Sequence, residues 1–525
     1  MRFTIPLLLC LLVAPVTAQD IQKLLDQKVE LEYDALELGD VLKDLKDRYR
    51  ISIELDKTQV EDFVPITVSV KGISLRSALK VLLLDADAGY LVRNKSLLVS
   101  SLEKTETTKT YSLEGLVPKG DVIRLNAFAH LFETTFPIVL PSFGRATPED
   151  MKHFFWDVDG PTLKVKGAFR LQDAAKAYLV QMKAFRQAIK KSPPPKSMSL
   201  SSIPDESEKK IAAALQKKIT IQTDAHELKE VVSEMKRFLG VEVQIDKWMV
   251  EDFAPITFHN QQPISVHSIL RVMLHEVDAT FCVRNEMIWI TAQKGSLETR
   301  IYFLKDRVWP AGEKYDAVKI RERLNTITKE IRTQITPSSW ESYGVIEVLP
   351  SLQALVIRNE AESHYQLEDF FYPPDEKNIL AALAKPCTIN SSGDELAEII
   401  LEISQKAGVN VCVDRGRVED FTPITLKIDK PVTLAKLLET ICKECDGVYF
   451  VDKELLMITT EENCHRKKNV NLGVALPMSK GMAIHFDASK SGSNIKGKPP
   501  NLLIKTDREK NPAGAGNPFP GYPFE

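Results

Sequence analysis

The chain has 525 residues, 44% hydrophobic and 27% charged, a length beyond one ordinary domain that predicts about three to five. Its 69 basic and 72 acidic side chains leave a formal net charge of −3. That balance excludes a dedicated nucleic-acid binder, which needs a surplus of Lys and Arg to displace counterions from phosphates.

Residues 1–18 read as a signal peptide: Arg2 is the positive start, Ile5 to Val13 the apolar run, and Val16-Thr17-Ala18 the small-residue site, with cleavage expected after Ala18. Cys10 lies inside the apolar run behind Leu7-Leu8-Leu9, without the small residues that precede a lipidated cysteine, so simple export is expected. No later segment has the length and apolarity of a membrane span.

The first module, residues 27–103, has Leu38, Val41, Leu42 and Leu45 at helical spacing, then the alternating run Ile51 to Leu55, which reads as a half-buried strand closed by Asp56. The phrase Val60-Glu61-Asp62-Phe63-Val64-Pro65-Ile66-Thr67 follows. A second helix is marked by Leu75, Leu79 and Leu82 behind a capping Ser74, and a hairpin runs from Tyr90 and Val92 to Leu97 and Val99.

A different α/β module is expected over 108–190. It comprises Thr110 to Leu113, a helix from Val122 to Phe132, a strand from Thr162 to Val165 and a last helix from Leu171 to Ile189. Residues 191–208, with Pro193-Pro194-Pro195, read as an extended linker.

The phrase then recurs as Val250 to Thr257 and Val418 to Thr425, identical at seven of eight positions, with Asp246 and Asp414 in register with Asp56. Duplication is the only economical source of such a match. The second and third copies, residues 209–294 and 376–462, repeat the helices, the caps Ser265 and Thr433, and the hairpins. A second intervening module falls at 298–373, and residues 467–525, rich in Gly, Pro, Asn and Lys, read as mostly disordered. The fold class expected is therefore α+β and multidomain, with three β-α-β-β-α-β-β repeats, each a sheet with two helices on one face, and two α/β modules between them.

The repeat resembles the short N-terminal module shared by secretins and TonB-dependent signal-transducing receptors. Asp246, Pro255-Ile256-Thr257, Leu270 to Leu274, Phe281 and Ile288-Trp289-Ile290 carry the likeness, with counterparts in the other copies. The intervening segments resemble the secretin N1-type, KH-like fold through Trp340 and the strand Ala354 to Ile357. The resemblance implies modules that bind other proteins, either neighbouring copies or an envelope partner, in the periplasm or cell envelope. The roughly 65 residues after Thr460 lack the strands of a secretin pore.

The repeated motif Asp56, Phe63, Pro65, Thr67; Asp246, Phe253, Pro255, Thr257; and Asp414, Phe421, Pro423, Thr425 reads as structural, with the phenylalanines plugging the core. The paired carboxylates Glu61-Asp62, Glu251-Asp252 and Glu419-Asp420 read as turns rather than as a cation site, since paired catalytic carboxylates need unlike environments in one cleft. Export permits disulfides. Cys387, Cys412, Cys442 and Cys445 are the candidates, although Cys442 and Cys445 fall in register with Leu83 and Ala86 and fit a small buried hydrophobe first. His226, His259, His267 and His275 lack metal-ligand spacing, and no phosphate loop or nucleophile elbow is present. Phe154-Phe155-Trp156 reads as core before ligand face. The expectation is a non-catalytic, exported interaction or scaffold protein that engages envelope proteins or itself. No cofactor, metal, nucleic acid, membrane span or small-molecule substrate is inferred. A ligand-binding or regulatory protein, or an enzyme with its site in the irregular segments, is the alternative.

Overall fold

A computed structural model of the protein describes residues 18–93, 96–117, 122–139, 155–188, 196–200, 206–309, 313, 316–372, 377–415, 417–428 and 430–461, all within one compact unit, Met1–Gly473. The expected signal segment before Ala18, Cys10, Phe154, Cys464 and the tail 467–525 lie outside these residues.

The architecture is α+β, built from small separate sheets. In the first repeat, strand Lys28–Glu37 leads into helix Leu38–Tyr49, strand Ser52–Leu55, strand Pro65–Ser74, helix Leu75–Asp85 and the hairpin Ala88–Arg93 and Ser96–Ser101. The helices begin where the apolar spacing places them, and Ser74 caps the second by accepting from Ser77 N at 3.2 Å. Ser265 and Thr433 cap their helices in the same way.

The single sheet expected per repeat is instead two. Lys28–Glu37 pairs antiparallel with Pro65–Ser74, while Ser52–Leu55 joins the hairpin as a parallel partner of Ser96–Ser101. Both helices contact strands of both sheets. Each helix therefore needs a broad apolar stripe: Leu38, Val41, Leu42 and Leu45 on the first, and Leu75, Ala78, Leu79, Leu82 and Leu83 on the second. The second and third repeats have the same pairing, with Val243–Ile245 parallel to Met287–Ala292 and Asn410–Val413 parallel to Leu455–Thr459.

Each repeat also begins with a helix that the spacing did not announce: Ala18–Leu25, Glu206–Leu215 and Lys377–Leu383. Two residues a turn apart anchor each one, Ile21 and Leu25, Ile211 and Leu215, and Ile379 and Leu383, all buried in the repeat cores.

The intervening modules share one plan. The first has strand Thr107–Ser112, helix Val122–Val139, strands Phe155–Asp159 and Thr162–Gly167, and helix Phe169–Ala188. The second has strand Glu298–Phe303, helix Ala317–Gln334, strands Val345–Leu349 and Ala354–Asn359, and helix Ala361–Phe371. In both, the last strand of the module lies at the centre of its three strands. Part of the expected linker belongs to the second module: Ser197–Ser199 pairs antiparallel with Glu298–Phe303 as an edge strand, and Leu200 is fully buried.

Candidate interaction surface

The repeated phrase forms the same braced turn three times. Asp56, Asp246 and Asp414 accept from hairpin hydroxyls, Ser100 Oγ at 2.9 Å, Thr291 Oγ1 at 3.1 Å and Thr459 Oγ1 at 2.7 Å, so they tie the turn to the sheet. Asp62, Asp252 and Asp420 pair with Lys57, Lys247 and Arg415. Their carbonyls accept from Gly39, Lys229 and Ala397 at the start of the first helix. Pro65, Pro255 and Pro423 open the next strand with exposed rings. Thr67 and Thr257 accept at Oγ1 from Ala35 N and Ala225 N, two residues in the left-handed region where the partner strand bulges. Gly393, in register with them, also has a positive φ at the bulge of its strand.

The phenylalanines do not plug the core. Phe63, Phe253 and Phe421 are 61, 60 and 61% exposed. Val60, Val250 and Val418 fill the interior instead. The turn needs one apolar anchor, and the valine, whose N donates to the carbonyl of the Asp four residues before it, takes it.

Successive repeats pack through one joint made twice. The outer face of the second repeat's three-stranded sheet, with Cys282, Met287 and Trp289, closes on the core of the first. Cys412, Phe450, Leu455 and Met457 of the third close likewise on the second. At the hairpin tip, Asn285 and Glu286 adopt positive φ, as a two-residue hairpin turn requires. Glu286 accepts from Ser77 Oγ at 3.0 Å and Ser207 Oγ at 3.1 Å, and also from Ser74 Oγ and Lys28 Nζ. Glu454 repeats the arrangement, accepting from Ser265 N at 2.8 Å, Ser268 Oγ at 3.1 Å and Lys218 Nζ at 2.8 Å. Burial raises the pKa of each carboxyl, but the donors outweigh it and lower both, Glu454 to about 2. A second polar pin accompanies each tip: Lys71 N donates to Glu242 at 2.9 Å, and Gln261 N and Gln262 N both donate to Asn410 Oδ1 at 2.9 Å. Glu242 and Asn410 hold the same register position.

The intervening modules form a second row. Ile301, Leu349, Ala354 and Val356 of the second pack into the core of the first, and Phe185 stacks on Phe303 at 5.0 Å. Each module locks its last helix with a Tyr pair, Tyr111 to Gln172 at 2.9 Å and Tyr302 to His364 at 3.0 Å. Each also meets the preceding repeat through a cation: Lys80 pairs with Asp173 at 2.8 Å, and in register Arg271 lies 3.4 Å from the centre of the Tyr365 ring. Arg271 bonds Glu362 at 2.8 and 3.0 Å and Asp452 at 2.9 and 3.0 Å, so the second repeat, its intervening module and the third repeat meet at one buried guanidinium. Lys453 Nζ also lies over the Tyr365 ring, 3.3 Å from its centre, and pairs with Asp369.

No disulfide joins Cys387, Cys412, Cys442 and Cys445, the candidate disulfide residues. Cys412 packs into the second repeat's core, whereas Cys387 and Cys442, with Cys445 against them, lie in the third repeat's own core, so Cys412 is set apart from the other three. His267 stacks on Tyr365 at 5.3 Å, and burial lowers its pKa to about 3. Among the described residues no three His, Cys, Asp or Glu side chains converge in a metal-holding group, and no helix is long and apolar enough to cross a membrane. Of the aromatic stretch, Phe155 is exposed and Trp156 packs edge-on to Phe132 at 5.3 Å. An open cleft of about 450 Å³ is lined by Lys196, Ser197, Glu368, Asp369, Tyr372 and Lys453. Its charged groups are engaged within the protein: Glu368 with Arg300, Asp369 with Lys453, and Lys196 over the Tyr372 ring.

No family model matches the chain, and no curated protein does. Among solved structures, XcpQN012 is similar at 14% identity over 37% of this chain and 80% of that one, with a TM-score of 0.13. The N-terminal domain of the secretin XcpQ from Pseudomonas aeruginosa is similar at 12% identity over 49% and 94%, with a TM-score of 0.13. The GspC–GspD complex from the type II secretion system of enterotoxigenic Escherichia coli matches at 10% identity over 29% and 96%, with a TM-score of 0.13. Likeness at this level assigns neither a family nor a partner to this chain.

Proposed function

We propose that this protein is a non-catalytic interaction scaffold exported to the bacterial envelope, with five small modules locked into one body that engages other proteins. The joint made twice through Glu286 and Glu454 supports the reading, because it is a module-to-module contact that the repeat forms in the same register on both occasions. The polar groups fit a structural assignment. Arg271, Glu362 and Asp452 are consumed in holding modules together, and the braced aspartates in holding the turn of each repeat. The charged N-terminal start, short apolar run and small-residue site support export.

Another protein suits the partner role better than a second copy. The joint needs a tip carboxylate on one side and a Ser, Ser, Lys set on the other. In the sequence the first repeat has Lys95 in register with Glu286 and Glu454, and the third has Thr433, Lys436 and Pro386 where Ser265, Ser268 and Lys218 stand in the second. Both ends of the row therefore lack the groups for extension.

Chemical cross-linking in intact cells, followed by mass spectrometry of the fractionated envelope, tests the proposal. It predicts recovery of the chain in the envelope fraction with cross-links to a distinct protein. Recovery from the cytoplasm, or an envelope chain that cross-links to nothing, overturns it.

A further inference from the structure

We infer that the three Glu-Asp-Phe turns are a trivalent docking surface for a protein that carries two or more apolar clefts edged by Lys or Arg. This rests on the scaffold reading and adds the surface and the chemistry of the partner.

The first observation is retention without a folding role. Phe63, Phe253 and Phe421 are each about three-fifths exposed, so burial does not explain their identity. Two exposed neighbours in the same turn have drifted, Thr58-Gln59 to Trp248-Met249, and Gln59 and Met249 stand in register with the exposed Arg417. Buried positions have drifted too, Leu42 to Val232 to Ile400. A solvent-facing aromatic that stays fixed while both classes change answers to a common external requirement.

The second observation is rigidity. Each ring stands on a turn pinned by an Asp to hairpin hydroxyl bond, an Asp to Lys or Arg pair and a backbone bond to the first helix. A held aromatic docks with little loss of conformational freedom. The third is charge. The second acidic residue of each turn is neutralised by its own cation, which leaves the exposed Glu61, Glu251 and Glu419 as the free charge beside each ring. An apolar side chain flanked by one carboxylate matches an apolar cleft with a basic edge. An anionic lipid surface is disfavoured by the same carboxylate. Because one joint relates the first repeat to the second and the second to the third, successive turns are presented by one repeated step, and a multivalent partner gains effective concentration.

The test uses the full mature chain and a phage-displayed random peptide library as probe. Peptides that combine large apolar residues with Lys or Arg are expected to be enriched. F63S/F253S/F421S and E61K/E251K/E419K should each weaken the enriched peptides at least about tenfold. Two copies of such a peptide on one tether should bind the wild type at least about a hundredfold tighter than one. The melting temperature of the serine variant should stay within about 2 °C of wild type, as expected for surface positions. The inference is overturned by an absence of enriched peptides, by peptides that bind the serine variant as well as wild type, by a clear drop in its melting temperature, or by wild-type binding to phosphatidylcholine vesicles that the serine variant loses. The two readings separate in cells. Cross-links that persist in the serine variant leave the scaffold standing and remove the turns, whereas their absence in wild type removes both.

Discussion

Glu276 and Glu454 act at the same joint with opposite pH signatures. Burial, with Asp420 and Asp414 adding and Arg415 opposing, raises the Glu276 pKa to about 7. A carboxyl whose folded pKa exceeds its unfolded value contributes stability that is full below the unfolded pKa near 4.5 and lost as pH rises through 7. Glu276→Gln is expected to flatten the fall in stability between those limits, read by urea unfolding across a pH series. Glu454, lowered to about 2, contributes above 4.5 and loses that contribution as pH falls toward 2, so Glu454→Gln should remove the acid sensitivity of the joint between the second and third repeats. Arg271→Ala leaves Glu362 and Asp452 facing each other in a buried setting and should cost about 3–5 kcal/mol in chemical denaturation.

Among elements, the short opening helices carry the clearest prediction. Ile21→Ala removes a fully buried side chain from the first repeat and should cost about 2–5 kcal/mol. A neutral result would detach the helix Ala18–Leu25 from the fold. That helix starts at the residue expected to precede the cleavage site. These helices escaped sequence reading because each is short and shows only two or three buried positions, one of them a small Ala in the second and third, too few to establish a period. The longer helices at Leu38, Leu228 and Leu396 were legible because four or more apolar positions recur on one face. The strands were legible by alternation, but their partners were not. Whether Ile51 to Leu55 joins the hairpin or the long pair depends on a parallel crossover between residues far apart in the chain, which local pattern does not encode. The phenylalanines were misread for a related reason: identity among repeats preserves interior and surface residues alike, and only the path of the turn decides which way the ring faces.

For the whole molecule, the unlike ends of the row predict a monomer. Light scattering of the purified mature chain should give one mass at all accessible concentrations, and Glu286→Lys should loosen the first joint, opposing Lys28 with a second cation. Seen by proteolysis, that loosening should expose the segment between the first two repeats before either repeat core is cut. Duplication, the helix and strand content of each copy, and the absence of charge for nucleic acid were all properties of the linear chain, because composition and period are local quantities. The two-row stacking, the exposure of Phe63, Phe253 and Phe421, and the buried guanidinium shared by three modules were settled only in three dimensions. Each depends on which apolar face meets which, and the residues that meet are separated by up to some 260 positions in the chain, as Lys28 and Glu286 are.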